Sequence, residues 1–173
     1  VDNYVDTARW KTANEIVAET VLRNKSALCD GYSRLFKTLC DYAGIRCELV
    51  TGYGRVDWGG RIKFRSNHTW NAVYIDSSWQ LLDVTWASGY LTYNGSEFIK
   101  HYDDYYFLTP PDQFIKDHFP DEIAWTLLPH VPLIGEMSIG PFKPRTFSKY
   151  KITSYQPMNG VIEASPGDTV LIS

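Results

Sequence analysis

One segment limits the fold more than any other: Asn67-His68-Thr69-Trp70-Asn71-Ala72-Val73-Tyr74-Ile75, then Asp76-Ser77-Ser78, then Trp79-Gln80-Leu81-Leu82-Asp83-Val84-Thr85-Trp86. Both flanks are rich in β-branched and aromatic residues and the middle is a turn signal, so the segment predicts an antiparallel hairpin. Side chains alternate along a strand, which puts His68, Trp70, Ala72 and Tyr74 on one face. If Asp76-Ser77 is a two-residue turn, Ile75 faces Ser78. Stepping outward along both strands then brings Asp83 opposite Trp70. Directly opposed residues point to the same side, so Trp79, Leu81 and Asp83 join His68 and Trp70. Asp83 becomes a diagonal neighbour of His68, about 7 Å away backbone to backbone and within side-chain reach. A three-residue turn would reverse the parity and send Asp83 to the other face. Asp-Ser is a weaker turn signal than Asp-Gly, so the register is the assumption on which this pairing stands.

The segments before the hairpin read as two helices and a strand. Residues 12–23 carry Ile16, Val17, Val21 and Leu22 near helical spacing, and Asn24-Lys25-Ser26 breaks the pattern. Ser26 is then expected to cap a second helix, whose apolar stripe is Leu28, Tyr32, Leu35, Phe36, Leu39, Cys40 and Ala43, with Gly44 just past its end. Cys29 falls in its first turn. Residues 45–51 read as a strand, and Gly52, Gly54 and Asp57-Trp58-Gly59-Gly60 as a loop. After the hairpin, residues 105–108 read as a strand, and Pro110-Pro111 opens a short helix over 112–118 that Pro120 ends.

Composition removes several classes of function. The formal net charge is −3 and no basic run occurs, which argues against nucleic acid or an anionic membrane as partner. No apolar run is long enough to span a bilayer, so no membrane insertion is expected. Three cysteines, Cys29, Cys40 and Cys47, are odd in number and too widely spaced for a disulfide framework, and no Cys-x-x-Cys pair offers a zinc site, so no metal is expected.

A carboxylate beside an imidazole is the orienting half of a catalytic triad: it holds one ring nitrogen, sets the tautomer and stabilises the imidazolium. The other nitrogen needs a nucleophile. Cys29 is the candidate, because unpaired N–H groups and the helix dipole favour a thiolate at a helix start and offer donors to an oxyanion. Each residue also has a plainer reading. Cys29 alone is a small apolar residue of a core, His68 a satisfied core or surface histidine, and Asp83 a turn or cap. Trp70, Trp79 and Trp86 alone are core tryptophans. It is their joint occurrence, on one consistent face, that points to chemistry.

Cys29-Asp30-Gly31-Tyr32-Ser33, Ala43-Gly44-Ile45, Val50-Thr51-Gly52-Tyr53, Asn67-His68-Thr69-Trp70-Asn71 and the run from Trp79 to Trp86 together resemble the transglutaminase-like superfamily. Tyr106-Phe107-Leu108-Thr109-Pro110-Pro111, His118-Phe119-Pro120 and Trp125-Thr126-Leu127-Leu128 resemble, more narrowly, its kyphoscoliosis peptidase and hillarin group, which includes bacterial relatives. The likeness covers roughly residues 1–130. It implies an α+β, papain-like fold in which a helix carrying the cysteine packs on an antiparallel sheet carrying histidine and aspartate. It also implies Cys29 as nucleophile, His68 as general base and acid, and Asp83 as orienter. Thr69 stands where many relatives carry alanine. The likeness would place a further helical segment before the Val1 region, and without it one wall of the cleft is expected to be incomplete.

Two parts are expected: a catalytic core over 1–128 and a β-rich extension, or the start of a β-sandwich, over 129–173. The latter rests on strand-like runs at 150–153, 161–164 and 169–172 with a Ser165-Pro166-Gly167-Asp168 turn. The implied chemistry is acyl transfer through a thioester on a protein or peptide substrate, with hydrolysis preferred to Gln–Lys crosslinking. Trp70 and Trp86 are expected to line the cleft, equally well explained by packing. No cofactor is required. The rival reading is a non-catalytic binding or scaffolding module that retains the triad. A glycan on the Asn67-His68-Thr69 sequon would obstruct the cleft, which favours a bacterial or a eukaryotic cytoplasmic setting over the eukaryotic secretory pathway.

Overall fold

The computed structural model describes residues 11–55, 65–92, 95–132 and 165–169. Helix α1 (Ala13–Asn24) starts on a capping box: the Thr12 hydroxyl accepts from Glu15 N–H, and the Glu15 carboxylate accepts from Thr12 N–H. It stops at Lys25, which takes the left-handed conformation. Helix α2 (Cys29–Tyr42) follows. Its N-cap is Leu28, which offers no side-chain acceptor, so Ser26 does not cap it. Gly44 adopts φ +72° just past its end, as expected of the C′ position. The expected apolar stripe holds at Phe36 and Cys40, whereas Leu28 and Leu39 are exposed.

Strand β1 (Cys47–Gly54) extends past the expected end, taking in Gly52 and Gly54; residues 57–60 lie outside the described set. Strands β2 (His68–Ile75) and β3 (Ser78–Leu82) form the hairpin in the expected register, Ile75 against Ser78 through Asn71 against Leu82. Asp76 and Ser77 take φ of 49° and 64°, positive at both central positions as a type I′ turn requires. The returning strand is shorter than expected. It ends at Leu82, because Asp83 caps a short helix, α3 (Val84–Ser88).

A small hairpin of β4 (Gly89–Leu91) and β5 (Phe98–Lys100) comes next. Residues 105–108 are not a strand: Asp103 caps a 3-10 turn, Asp104–Tyr106. Helix α4 (Pro111–Phe114) is shorter than expected, and His118 and Pro120 belong instead to strand β6 (His118–Pro120), followed by a 3-10 turn, Ile123–Thr126. Four strands form one antiparallel sheet in the order β3-β2-β1-β6. Of the expected C-terminal extension, residues 129–132 and 165–169 are described, the latter holding a turn closed by Asp168 N–H to Ser165 O at 3.0 Å; the expected strands at 150–153 and 161–164, and all of 169–172 but its first residue, lie outside the described residues.

Both faces of β2 are covered. Cys47, Val73 and Leu82 pack under Cys40 and Phe36 of α2. Val50, Trp70, Ala72 and Leu81 pack with Phe114 on the other face. Burying a side chain such as Phe114, 1% exposed, contributes about 1.5–3 kcal/mol. Two glycines of β1 let this second layer close. A Cβ on Gly52 would lie 2.2 Å from the Phe119 carbonyl oxygen and 2.7 Å from the Trp70 ring, and one on Gly54 would lie 2.9 Å from the His68 Cβ.

Candidate active site

Asp83 is the centre of the site. At the end of β3 its backbone N–H donates to Tyr106 O at 2.9 Å. Its Oδ1 accepts from Thr85 N–H at 2.8 Å and Trp86 N–H at 3.1 Å, which caps α3 and locks the carboxylate. That leaves Oδ2 facing the first residue of β2, and His68 Nε2 lies 2.6 Å from it. The face inferred from the hairpin register is therefore the one observed. Asp83 is fully buried. Burial alone would raise its pKa, but the bonds from His118 and His68 outweigh burial and hold it well below the usual carboxylate range.

An ionised carboxylate only accepts, so His68 Nε2 carries a proton and its Nδ1 is the basic nitrogen of the neutral ring. Nδ1 has no hydrogen-bond partner among the described residues. Trp86 stacks on the His68 ring with centroids 4.9 Å apart and planes 26° from parallel. Trp70 does not line a cleft. It is fully buried in the core, with its ring 5.9 Å from Phe114, because even-numbered residues of β2 point into the layer closed by α4.

His118 is the residue missed from the sequence. Its Nε2 lies 3.0 Å from the same Oδ2 of Asp83, and its Nδ1 lies 2.6 Å from Asp117 Oδ1. Tyr106 OH donates to the other Asp117 oxygen at 3.1 Å. The ring is enclosed by Phe114, stacked at 4.1 Å, and by Trp86 at 4.4 Å. Burial would lower its pKa, yet Asp117 and then Asp83 overcome this and raise it to about 9. A signal existed in the dyad Asp117-His118, but nothing local ties it to Asp83. Only the pairing of β6 with β1, Gly54 against His118, brings it there.

Cys29 opens α2 and is half-buried. Ser33, one turn later, donates from its hydroxyl to Thr69 O at 3.0 Å, and Asn71 donates from its amide to Ser33 O at 3.1 Å. These bonds fix the first half of α2 to the start of β2, so the helix end bearing Cys29 and the strand end bearing His68 lie at the same end of the layer. No hydrogen bond joins Cys29 to His68. The first intrahelical bond is Tyr32 N–H to Leu28 O, 3.1 Å, and no side chain caps the N–H groups before it. The other two thiols are buried, and burial raises the pKa of both, that of Cys47 to about 12.

His68, Asp83 and His118 offer donor atoms within 4.8 Å of one another, a set that could hold a metal ion. Their spacing argues for hydrogen bonds instead. Ligands on a tetrahedral zinc, each about 2.0 Å from it, stand about 3.3 Å apart, whereas here the nitrogens lie 2.6 and 3.0 Å from the shared oxygen.

Comparison with known proteins gives a consistent picture. Residues 3–84 match the model of the transglutaminase-like superfamily. Over 170 residues the chain is 32% identical to kyphoscoliosis peptidase of Mus musculus, covering 96% of this chain and 26% of that protein. It is 35% identical over 166 residues to the Homo sapiens protein of the same name, covering 94% and 25%. It is 33% identical over 136 residues to hillarin of Drosophila melanogaster, covering 70% and 16%. The chain thus spans about a quarter, or less, of the length of these relatives.

Proposed function

This chain carries a transglutaminase-like domain, and from that premise we propose that it catalyses cysteine-dependent acyl transfer, with Cys29 as nucleophile, His68 as base and acid, and Asp83 as orienter. The observation that carries the proposal is the buried 2.6 Å bond between His68 Nε2 and Asp83 Oδ2. It orients the imidazole and supports the tautomer whose lone pair is on Nδ1. In the proposed cycle Nδ1 accepts the Cys29 proton as sulfur attacks a substrate carbonyl carbon. The tetrahedral oxyanion is met by open N–H groups at the start of α2. The carbon–nitrogen bond breaks as His68 returns the proton to the leaving amine, which leaves a thioester on Cys29. Water, deprotonated by the same nitrogen, then releases the acid and the thiol. The imidazolium present between these steps is balanced by Asp83.

The substrate class proposed is a peptide bond or a glutamine side-chain amide, and hydrolysis is the preferred outcome. Relatives named peptidases support that preference. Trp86, stacked on His68, is proposed to shield the base from bulk water on one side. The test is labelling with a peptide-like electrophile, read by mass spectrometry. Cys29 is expected to label far faster than Cys40 or Cys47, and His68→Ala is expected to remove that advantage. Equal labelling of the three thiols, or a Cys29 rate indifferent to His68, refutes the proposal.

A further inference from the structure

We propose that His118 is a positioning residue of this site: it shares Oδ2 of Asp83 with His68, bonds Asp117 through its other nitrogen, and so fixes the carboxylate against which the base works. The inference rests on the reading of His68 as the base.

Asp83 Oδ2 has two nitrogens against it, His68 Nε2 at 2.6 Å and His118 Nε2 at 3.0 Å. An ionised carboxylate only accepts, so both rings donate. His118 Nδ1 meets a second carboxylate, Asp117, at 2.6 Å. A ring whose two nitrogens both face carboxylate oxygens carries both protons and is a cation. The contacts favour that charge state, and the ring itself is buried among Phe114, Trp86 and Trp70.

Two consequences follow. Oδ1 of Asp83 is held by the Thr85 and Trp86 N–H groups, and Oδ2 by the two rings, so every direction in which the carboxylate could turn is taken. The second is electrostatic. The His118 ring centroid is 5.5 Å from that of His68. A cation there opposes a second positive charge on His68. The titratable groups facing this pair are Asp83 from the cap of α3, Asp117 beside β6 and Tyr106 from the 3-10 turn. Burial pushes the Tyr106 phenol up, so it stays neutral and donates to Asp117.

Asp117→Asn separates charge from shape. The amide oxygen can accept from Tyr106, and the amide N–H can donate to His118 Nδ1. His118 then keeps its bond to Asp83 as a neutral ring. The experiment is a pH titration of the intact chain by histidine 15N NMR, wild type against D117N, with the four histidines assigned by single replacement. Alongside it, the pH dependence of Cys29 alkylation by iodoacetamide is followed. In the wild type, both His118 nitrogens are expected to be protonated at about pH 7.5. In D117N, His118 is expected to be neutral there. The pH profile of Cys29 alkylation is expected to move as well. A neutral His118 in the wild type overturns the inference whether or not the variant folds, and so does a Cys29 alkylation profile unmoved in folded D117N. If alkylation of Cys29 is indifferent to His68→Ala, the acyl-transfer reading falls instead, and the NMR result still reports on His118 by itself.

Discussion

Raising the pH from about 6.5 to about 9 is expected to strip a large part of the stability from this fold through one ring. His118 ordinarily titrates at 6.5 and is raised to about 9 in the fold, where burial opposes the shift and Asp117 and Asp83 drive it. A raised pKa means the folded state holds the proton more tightly. The contribution is therefore fully present below about 6.5 and disappears as the pH climbs through about 9. A gap of about 2.5 units at about 1.4 kcal/mol each gives about 3 kcal/mol, against a whole-domain stability of about 5–15 kcal/mol. His118 has no exposed side-chain surface, so solvent screening does not discount the figure. Asp83 works in another window: its pKa is depressed, so its contribution is present above about pH 4 and lost as the pH falls below that. Cys47, pushed up to about 12 mainly by burial, destabilises the fold only above about pH 9. Urea midpoints measured in steps from about pH 6 to about pH 9 check the claim, with Asp117→Asn as the control whose slope is expected to flatten. A wild-type midpoint that stays level over this range, or an equal slope in the variant, refutes the reasoning.

Four further outcomes are expected. Asp83→Asn puts an amide where two nitrogens donate, so Cys29 labelling and turnover should fall by about 10^4-fold, with circular dichroism confirming that the chain still folds. Gly54→Ala sets a methyl group 2.9–3.0 Å from three atoms of His68, so it should lower stability by about 1–3 kcal/mol in urea unfolding and slow Cys29 labelling. Ser77→Gly relieves a φ of 64° and should raise stability by about 1 kcal/mol, read as a higher urea midpoint. Incubated with a glutamine-rich protein and a labelled primary amine, the protein is expected to give more deamidation or cleavage than amine incorporation; Cys29-dependent incorporation alone would reverse the preference for hydrolysis.

The hairpin was legible because its information is local. A period of two and a turn that tolerates positive φ set the register, and the register sets the face shared by His68 and Asp83. The segments that misled did so through propensity. Val84-Thr85-Trp86 and Tyr105-Tyr106-Phe107 have the β-branched and aromatic look of strands, yet Asp83 and Asp103 turn their own carboxylates onto the following N–H groups and start helical turns instead. The sequence leaves Trp70 open between cleft and core because its partner Phe114 lies more than forty residues away, on an element whose packing no period reveals. His118 was hidden for the same reason. Its place depends on β6 lying beside β1, and on Gly52, where a Cβ would meet the Phe119 carbonyl and Pro120.

Helix α2 begins on Leu28, which is 83% exposed and supplies no acceptor to the amides that follow. By the ordinary rules of helix ends this is a defect, since a serine or aspartate in that position would add about 1 kcal/mol. The repair would come at the wrong place. A capping oxygen would fold back onto the N–H groups beside the Cys29 thiol, the same groups that a developing oxyanion would need. Stability and reactivity therefore compete for one small set of protons, and a chain selected only for robustness would be expected to lose Leu28 early.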